Sequence, residues 1–235
     1  EQEAGTRLML VAIDRGMVQA IISTGALVAH GLSESVGKLH YRHDASHSDE
    51  ELFQKGYNRV YDTLEMESNL NYVEHVVSLT LKRINTEQPL SSHLLTRELG
   101  KTLAEEFEGP GILTSAYLKN VPGYIPAFTD SAMGLDVGTW AMGKRMDQAR
   151  SQVKEGGDMA VLRALHQTCP VFNPYLDLNH YAEEVLGSKR LGIFTIGGGV
   201  PRNWAQQVAP YIEISNTRLG LNVQPPRFHY GVRIC

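Results

Sequence analysis

The sequence predicts an α/β domain whose mostly parallel sheet carries helices on both faces. Short β-like runs alternate with longer helical runs along the 235 residues, which is typical of parallel strands joined by helical crossovers. Small or polar turns follow three of the β-like runs. No internal linker interrupts this pattern, so we expect residues 1–235 to form a single domain.

Apolar spacing and terminal signals define the individual elements. Ser48 and Glu51 form a capping box, Asp177 is placed to cap a later helix, and Pro201 suits the first position of another. The predicted helices span residues 4–16, 48–55, 70–84, 92–107, 148–165 with a break at 156–157, 177–187 and a segment from 201. The predicted strands span residues 18–22, 124–128, 190–196, 211–215 and 229–235, and residues 40–49 are predicted as a polar loop.

Composition excludes several classes of protein. Hydrophobic residues make up 42% of the chain, which is too many for a disordered chain, and two cysteines are too few for a disulfide scaffold. The net charge of −4 offers no general attraction to nucleic acid or to an anionic membrane. No apolar run reaches the ~18 residues of a membrane span, and no signal peptide is visible. We expect a cytoplasmic protein in which Cys169 is buried as a small apolar residue.

The three turns suggest a nucleotide cleft. They comprise residues 23–25, 129–131 and the glycine triplet 197–199. Ligands of open α/β sheets bind beyond the carboxyl ends of strands, and glycines let backbone amides approach a phosphate. The alternative is that the glycines serve only a tight turn and close helix packing, since neither G-x-G-x-x-G nor a P-loop motif is present. Trp204 follows the third turn, and we expect a packing residue there, with a place on the cleft wall as the alternative.

A cluster of imidazoles and carboxylates occupies the polar loop. It consists of His40, His43, Asp44, His47 and Asp49. These residue types could hold zinc, which would allow a metal hydrolase. A solvated loop before a capped helix explains the same residues, and we expect no metal site.

Four segments resemble motifs of the deoxyhypusine synthase family, and their order and spacing fit its bacterial deoxyhypusine synthase-like branch. They are Ser23-Thr24-Gly25-Ala26, residues 127–131 (AFTDS), residues 194–204 (FTIGGGVPRNW) and residues 230–235 (YGVRIC). The resemblance implies a Rossmann-like fold that binds NAD, in a homotetramer whose subunits share active sites. The family enzyme oxidises spermidine with NAD and passes the aminobutyl group through an enzyme lysine to an acceptor amine.

The resemblance leaves the acceptor open. In the eukaryotic and archaeal enzymes the acceptor is a lysine of a translation factor, whereas some bacterial relatives use a small diamine and make homospermidine. An NAD-binding homologue without turnover is a third possibility.

The resemblance also assigns site residues. It implies cofactor contacts at Thr24, Gly25, Asp130, Gly198, Gly199, Ser215 and Asn216, the last two after a predicted strand. It implies polyamine contacts at His30, Asp136, Asn203 and Gln207. His30 replaces a family carboxylate, and a neutral imidazole supplies no negative charge to an ammonium group.

The family's nucleophilic lysine follows the last motif, in a Ser-Trp-Gly-Lys segment. It would lie beyond Cys235, so we expect no catalytic residue of this kind within the sequence. Residues 140–144 (WAMGK) look similar but belong to another region. The sequence begins without Met and ends inside a predicted strand, so we expect both terminal segments of the protein to lie outside it.

Overall fold

The computed structural model describes residues 2–60, 62–85, 87–168 and 170–234, and it shows a mixed α/β architecture. The helices are α1 (Gln2–Asp14), α2 (Gly25–Ser35), α3 (Asp49–Gln54), α4 (Glu67–Arg83), α5 (Ser92–Glu106), α6 (Ile112–Leu118), α7 (Ala132–Gly143), α8 (Met146–Gln152), α9 (Gly157–Leu165), α10 (Pro174–Leu186), α11 (Val200–Gln206) and α12 (Val208–Leu219). The strands are β1 (Ile21–Ile22), β2 (His40–Arg42), β3 (Tyr57–Val60), β4 (Thr63–Met66), β5 (Gly123–Tyr124), β6 (Leu191–Ile196) and β7 (Phe228–Ile234). Cys169 lies outside the described residues, so its burial stays a prediction.

The described strands form three small sheets. β1 pairs with β5 and β6 pairs with β7, both in parallel, as the alternating pattern predicts. The third sheet is antiparallel, in the order β2-β4-β3, and it was not predicted. Its outer strands are short and largely exposed, so they carry no alternation of apolar and polar residues. The predicted loop over residues 40–49 is therefore wrong at its start, where β2 lies.

The core lies where the helices pack on one another. Its largest cluster joins α2, α4, α5 and α7, and Val73, Val77 and Leu81 of α4 lie in it as their spacing predicts. A second cluster packs Tyr124 of β5 against Tyr181 of α10. Among the described residues, no helix combines the length and the apolar character that a bilayer crossing requires.

Several helix ends follow their sequence signals. The capping box is present, since Ser48 Oγ accepts a hydrogen bond from the Glu51 amide and the Glu51 carboxylate accepts one from the Ser48 amide. Pro201 lies in the first turn of α11. Asp177, however, is not a cap: Asn173 caps α10, and Asp177 lies in the first turn with its side chain buried.

The predicted strand over residues 211–215 is wrong, because this segment lies within α12. Val208 and Ile212 are both buried, and their spacing of four residues places them on one face of a helix. The alternation of Tyr211, Ile212, Glu213 and Ile214 imitates a strand locally, but helical packing of that face against the core overrides it.

Candidate active site

Two of the three predicted turns are in direct contact. A methyl group on Gly25, the first residue of α2, would lie 2.4 Å from Cβ and Oγ of Ser131, which caps α7. Thr24 Oγ accepts a hydrogen bond from the Leu27 amide (3.3 Å), and Ser131 Oγ accepts one from the Gly134 amide (3.1 Å). The capped first turns of two helices therefore meet, and both helix dipoles favour an anion there.

The surroundings of this contact suit a dinucleotide. Thr24 and Asp130 are exposed beside it. An exposed carboxylate can accept hydrogen bonds from ribose hydroxyls, while helix N-termini suit a pyrophosphate. Ser131 occupies the place that a Cβ on Gly25 would take, so the missing side chain is what lets the two turns approach each other. The residues present therefore fit NAD, the cofactor that the family resemblance implies here.

The glycine triplet forms the third turn, at the end of β6. Gly197 and Gly199 have φ angles of +78° and +86°, which other residues rarely adopt. Arg233 of β7 holds the turn by donating from Nε to the Gly197 carbonyl at 3.0 Å. Gly198 and Gly199 are exposed, so their backbone is accessible to a ligand.

Ser215 and Asn216 do not take part in such a turn. Both lie in α12, and Ser215 Oγ donates to the Tyr211 carbonyl at 2.8 Å. The Asn216 side chain donates to the Val223 carbonyl (2.7 Å) and accepts from the Val223 amide (2.9 Å). The expected position after a strand is therefore wrong, and hydrogen bonds within this region engage both side chains.

Trp204 of α11 is a packing residue, as expected. Its ring lies 5.1 Å from that of Tyr181 and 5.5 Å from that of Tyr124, measured between centroids. Asn203 precedes it on α11, Gln207 follows at the junction between α11 and α12, and both are exposed. The anchored tryptophan therefore fixes the helix that presents these two amides.

His30 lies in a cluster that the sequence did not reveal. Its Nδ1 is 2.7 Å from Oε2 of Glu65, whose side chain is 2% exposed. Ser33 donates to Glu65 Oε1 at 2.7 Å, and His40 Nε2 lies 3.5 Å from the same oxygen. On the other side of the ring, His40 Nδ1 lies 3.1 Å from Glu34 Oε1.

The charged groups of this cluster stabilise one another's ionised forms. Hydrogen bonds to Glu34 and Glu65 raise the pKa of His40 to about 9. Burial alone would raise the pKa of Glu65, but hydrogen bonds from His30, His40 and Ser33 hold it well below its usual range. Both His40 and Glu65 are therefore ionised at neutral pH.

The loop histidines do not meet as the zinc alternative requires. Within the described ranges, the one group with metal-binding spacing is His30, His40 and Glu65. His47 lies 3.9 Å from Glu51, and Asp49 pairs with Arg59. Only His40 of the predicted loop cluster belongs to the observed group.

Asp136 of α7 is a half-buried carboxyl group. Burial and the negative charge of Glu74 raise its pKa to about 6. α7 packs against α2 and α4, which carry His30 and Glu74. A cation beside Asp136 would relieve the unfavourable burial of its charge.

A pocket of about 290 Å³ opens beside the first turn. Ser23, which directly precedes Thr24, lines it together with His93, Tyr124 and His180. The imidazoles of His93 and His180 stack with their centroids 4.2 Å apart, and Tyr124 Oη lies 2.7 Å from His180 Nδ1. Burial, with the neighbouring His93, lowers the pKa of His180. At neutral pH His180 is therefore uncharged and can accept a proton.

Asp177 fixes one wall of this pocket. Its carboxylate accepts hydrogen bonds from the Ser92 amide, the Ser92 hydroxyl and the His93 amide, at 2.8 to 3.0 Å. His93 Nδ1 lies 2.9 Å from the same carboxylate. Burial opposes ionisation, yet these hydrogen bonds hold the pKa of Asp177 below its usual value. The charge thus anchors the start of α5 and orients the His93 ring.

The sequence contains one local signal for this pocket. Asp177 and His180 are three residues apart, which places them on one helix face. The interpretation of Asp177 as a cap concealed this pairing. Lys144, by contrast, does not line the pocket, and its Nζ lies 3.9 Å from the centroid of the Trp140 ring.

Comparison with known proteins gives a consistent result. The sequence profile described as "DS: Deoxyhypusine synthase" matches residues 3–235. A "Probable deoxyhypusine synthase 2" of Methanosarcina acetivorans is 29% identical over 92% of this chain and 55% of its own length. A "Deoxyhypusine synthase-like protein" of Elusimicrobium minutum is 27% identical over 98% of this chain and 55% of its own length. The chain thus spans about half the length of these relatives.

Similarity to solved structures concerns the fold. A crystal structure of a "putative deoxyhypusine synthase" from Entamoeba histolytica aligns with a TM-score of 0.56 and 12% identity. The alignment covers 97% of this chain and 60% of that one.

Proposed function

Because this chain belongs to the deoxyhypusine synthase family, we propose that the protein transfers an aminobutyl group from spermidine to an acceptor amine, with NAD as oxidant. The contact between Gly25 and Ser131 carries the proposal, since it joins two of the turns that would hold the cofactor. In the complete protein, the parallel pairs would belong to a Rossmann-like sheet, and the protein would act in the cytoplasm as a homotetramer.

Five residues would hold the cofactor. They are Thr24, Gly25, Asp130, Gly198 and Gly199. The helix termini and the exposed glycine backbone suit phosphates, and the Asp130 carboxylate suits hydroxyl groups. Bound NAD would supply the hydride acceptor for a carbon of the polyamine. Ser215 and Asn216 are left out of this set, because their side chains are hydrogen-bonded around α12.

The polyamine would bind through His30, Asp136, Asn203 and Gln207. His30 replaces a family carboxylate, and a neutral imidazole supplies no negative charge. Glu65 would supply that charge, because its carboxylate lies 2.7 Å from the His30 imidazole. Asp136 and Glu74 add negative charge beside neighbouring helices. Asn203 and Gln207 offer exposed amide oxygens to ammonium groups.

His180 would accept the proton that the amine must lose. An aliphatic ammonium cannot release hydride from its neighbouring carbon until its nitrogen is deprotonated. His180 is uncharged at neutral pH, and in the tautomer whose Nδ1–H donates to Tyr124 Oη, the other nitrogen, Nε2, is the proton acceptor. The imidazole therefore receives the proton within a pocket that begins at Ser23.

The proposal is tested by incubating the full-length protein with NAD and spermidine. Parallel reactions contain the translation factor, putrescine or no acceptor, and mass spectrometry identifies the products. Deoxyhypusine on the factor supports the proposed transfer, and homospermidine identifies a small diamine as the acceptor. NAD binding without any product would overturn the enzymatic proposal in favour of a non-catalytic NAD-binding homologue.

A pair of acidic variants locates the cofactor. Asp130→Asn removes the exposed carboxylate and should lower NAD affinity about tenfold, as expected when a charged hydrogen bond is lost. Asp158→Asn changes an equally exposed carboxylate in the first turn of α9 and should leave affinity unchanged. Equal affinities for the two variants would argue against the site.

A further inference from the structure

We propose that His30, His40 and Glu65 form a binding site for a divalent transition-metal ion, best matched by Zn²⁺. Two imidazoles and one carboxylate are a common ligand set for zinc with an open fourth position. The site shares His30 and Glu65 with the proposed polyamine contacts, but ion binding to it does not depend on the transfer reaction. His30 would use Nδ1 here, which leaves Nε2 for a substrate.

Three different elements position the ligands. His40 of β2 is directly opposite Glu65 of β4 in the antiparallel register, and His30 comes from α2. One ligand atom from each residue lies within 4.8 Å of the other two. Because Zn²⁺ bonds to nitrogen and oxygen are about 2.0–2.2 Å long, tetrahedral ligand atoms lie roughly 3.3 Å apart. The 3.5 Å between His40 Nε2 and Glu65 Oε1 fits, whereas His30 Nδ1 lies 2.7 Å from the other carboxylate oxygen, Oε2, and must move back by about half an ångström.

The residues around the ligands orient them toward a common centre. Glu34 Oε1 lies 3.1 Å from His40 Nδ1, so this nitrogen donates to Glu34 and Nε2 is the one that faces Glu65. A carboxylate behind a metal-binding histidine is the usual support for such a ligand. Ser33 donates to Glu65 Oε1 at 2.7 Å and fixes the carboxylate in the same way.

An independent observation points to a missing partner. His40 Nε2 is buried, and its contact with Glu65 Oε1, at 3.5 Å, is too long for a well-formed hydrogen bond. Buried nitrogens of this kind are normally satisfied. A metal ion between His40 and Glu65 would satisfy it. The side chains of His30 and His40 are 20% and 15% exposed, which gives an ion a way in.

The competing explanation is a permanent ion pair that joins α2 to the antiparallel sheet. In that case the cluster is complete without an ion, and the approach of His40 to Glu65 is its stabilising contact. The two explanations differ in what Glu34 does, because it supports a metal ligand in one and only a surface ion pair in the other.

Zinc titration of the full-length protein tests the site. The protein is first stripped with a chelator, and Zn²⁺ binding is then measured by calorimetry, without NAD or polyamine. We expect one ion per chain. Glu65→Gln and His40→Asn should each abolish this binding, and Glu34→Gln should weaken it 10- to 100-fold. His47→Asn is the matched control and should bind like the wild type, since His47 lies outside the cluster.

A second measurement uses only the wild-type protein, so the proposal can still be tested if the variants fail to fold. Co²⁺ bound to the wild-type protein should give the visible absorption of a four-coordinate nitrogen and oxygen site, without a thiolate charge-transfer band. That spectrum excludes the two cysteines as ligands. The proposal is overturned if the wild type binds no stoichiometric Zn²⁺, if folded Glu65→Gln and His40→Asn bind it normally, or if the Co²⁺ spectrum shows thiolate ligation.

Discussion

Gly25 and Ser131 lie so close that a methyl group on Gly25 would be 2.4 Å from both side-chain atoms of Ser131. Gly25 begins α2 and Ser131 caps α7, so this contact sets the distance between two helix N-termini. The arrangement of the candidate cofactor site therefore depends on the absence of one Cβ.

The first prediction concerns Gly25→Ala. The added methyl group must displace the second turn, so we expect a loss of about 1–3 kcal/mol in the free energy of unfolding and weaker NAD binding. Urea denaturation and calorimetry measure the two effects. Adding Ser131→Gly should restore part of both.

The matched control is Gly31→Ala in the same helix. No heavy atom lies within 4 Å of its added methyl group, so we expect no loss and up to about 1 kcal/mol of gain from helix propensity. If Gly25→Ala and Gly31→Ala behave alike, the close approach at Gly25 does not constrain the turn.

The second prediction concerns Asp177→Asn, behind the pocket wall that His93 forms. The amide would present donor groups to the Ser92 and His93 amides, so we expect a loss of about 1–3 kcal/mol. Because the native pKa of Asp177 is lowered, its stabilisation exists above the unfolded pKa and disappears as the pH falls through the native pKa. Urea denaturation should therefore show the wild type and the variant converging in acid. The exposed Asp158→Asn should show a smaller effect, and a constant difference across pH would contradict the charge-based role.

The third prediction concerns the pH dependence of Asp136. Its native pKa of about 6 exceeds the usual value of 3.8, so the native state binds this proton more tightly than the unfolded chain does. Stability should therefore fall as the pH rises from about 4 to 6, and the loss should stay constant above that range. Denaturation curves of the wild type and Asp136→Asn at several pH values measure the effect. If the stabilities of the wild type and of Asp136→Asn change in parallel with pH, burial does not raise the pKa of Asp136.

The fourth prediction concerns His180. His180→Asn removes the proposed proton acceptor and should lower kcat by roughly 100-fold or more. Tyr124→Phe keeps the imidazole but removes the hydrogen bond to it, so it should lower kcat less and shift the pH profile. His75→Asn, at an exposed position of α4, is the control and should leave kcat unchanged. An unaltered pH profile for Tyr124→Phe would show that the hydrogen bond between Tyr124 and His180 takes no part in the proton transfer.

The sequence predicts local features well and long-range contacts poorly. The turns at residues 23–25 and 129–131 were visible because small residues interrupt apolar runs, but nothing local showed that Gly25 contacts Ser131. A mostly parallel sheet was predicted, and the described residues form two short parallel pairs and an antiparallel sheet instead of one sheet. Strand β2 was not predicted, because its partly exposed residues lie within a polar stretch. The strand prediction for residues 211–215 was wrong, because the local pattern of apolar and polar residues resembles a strand over four residues only.

The candidate site shows the same division. The sequence groups His40 with its neighbours in the polar loop, yet its partners are His30 on a helix and Glu65 on the opposite strand. Strand register decides such a grouping, and register was not predictable for strands that were not themselves predicted. The spacing of Asp177 and His180 was a local signal, and only the interpretation as a cap concealed it.

The most direct test of the account is calorimetric titration of NAD into the full-length protein and into Asp130→Asn. We predict saturable binding of one NAD per chain for the wild type and about tenfold weaker binding for the variant. The control Asp158→Asn should bind NAD like the wild type. The absence of any binding heat from folded wild-type protein would contradict the proposed cofactor site.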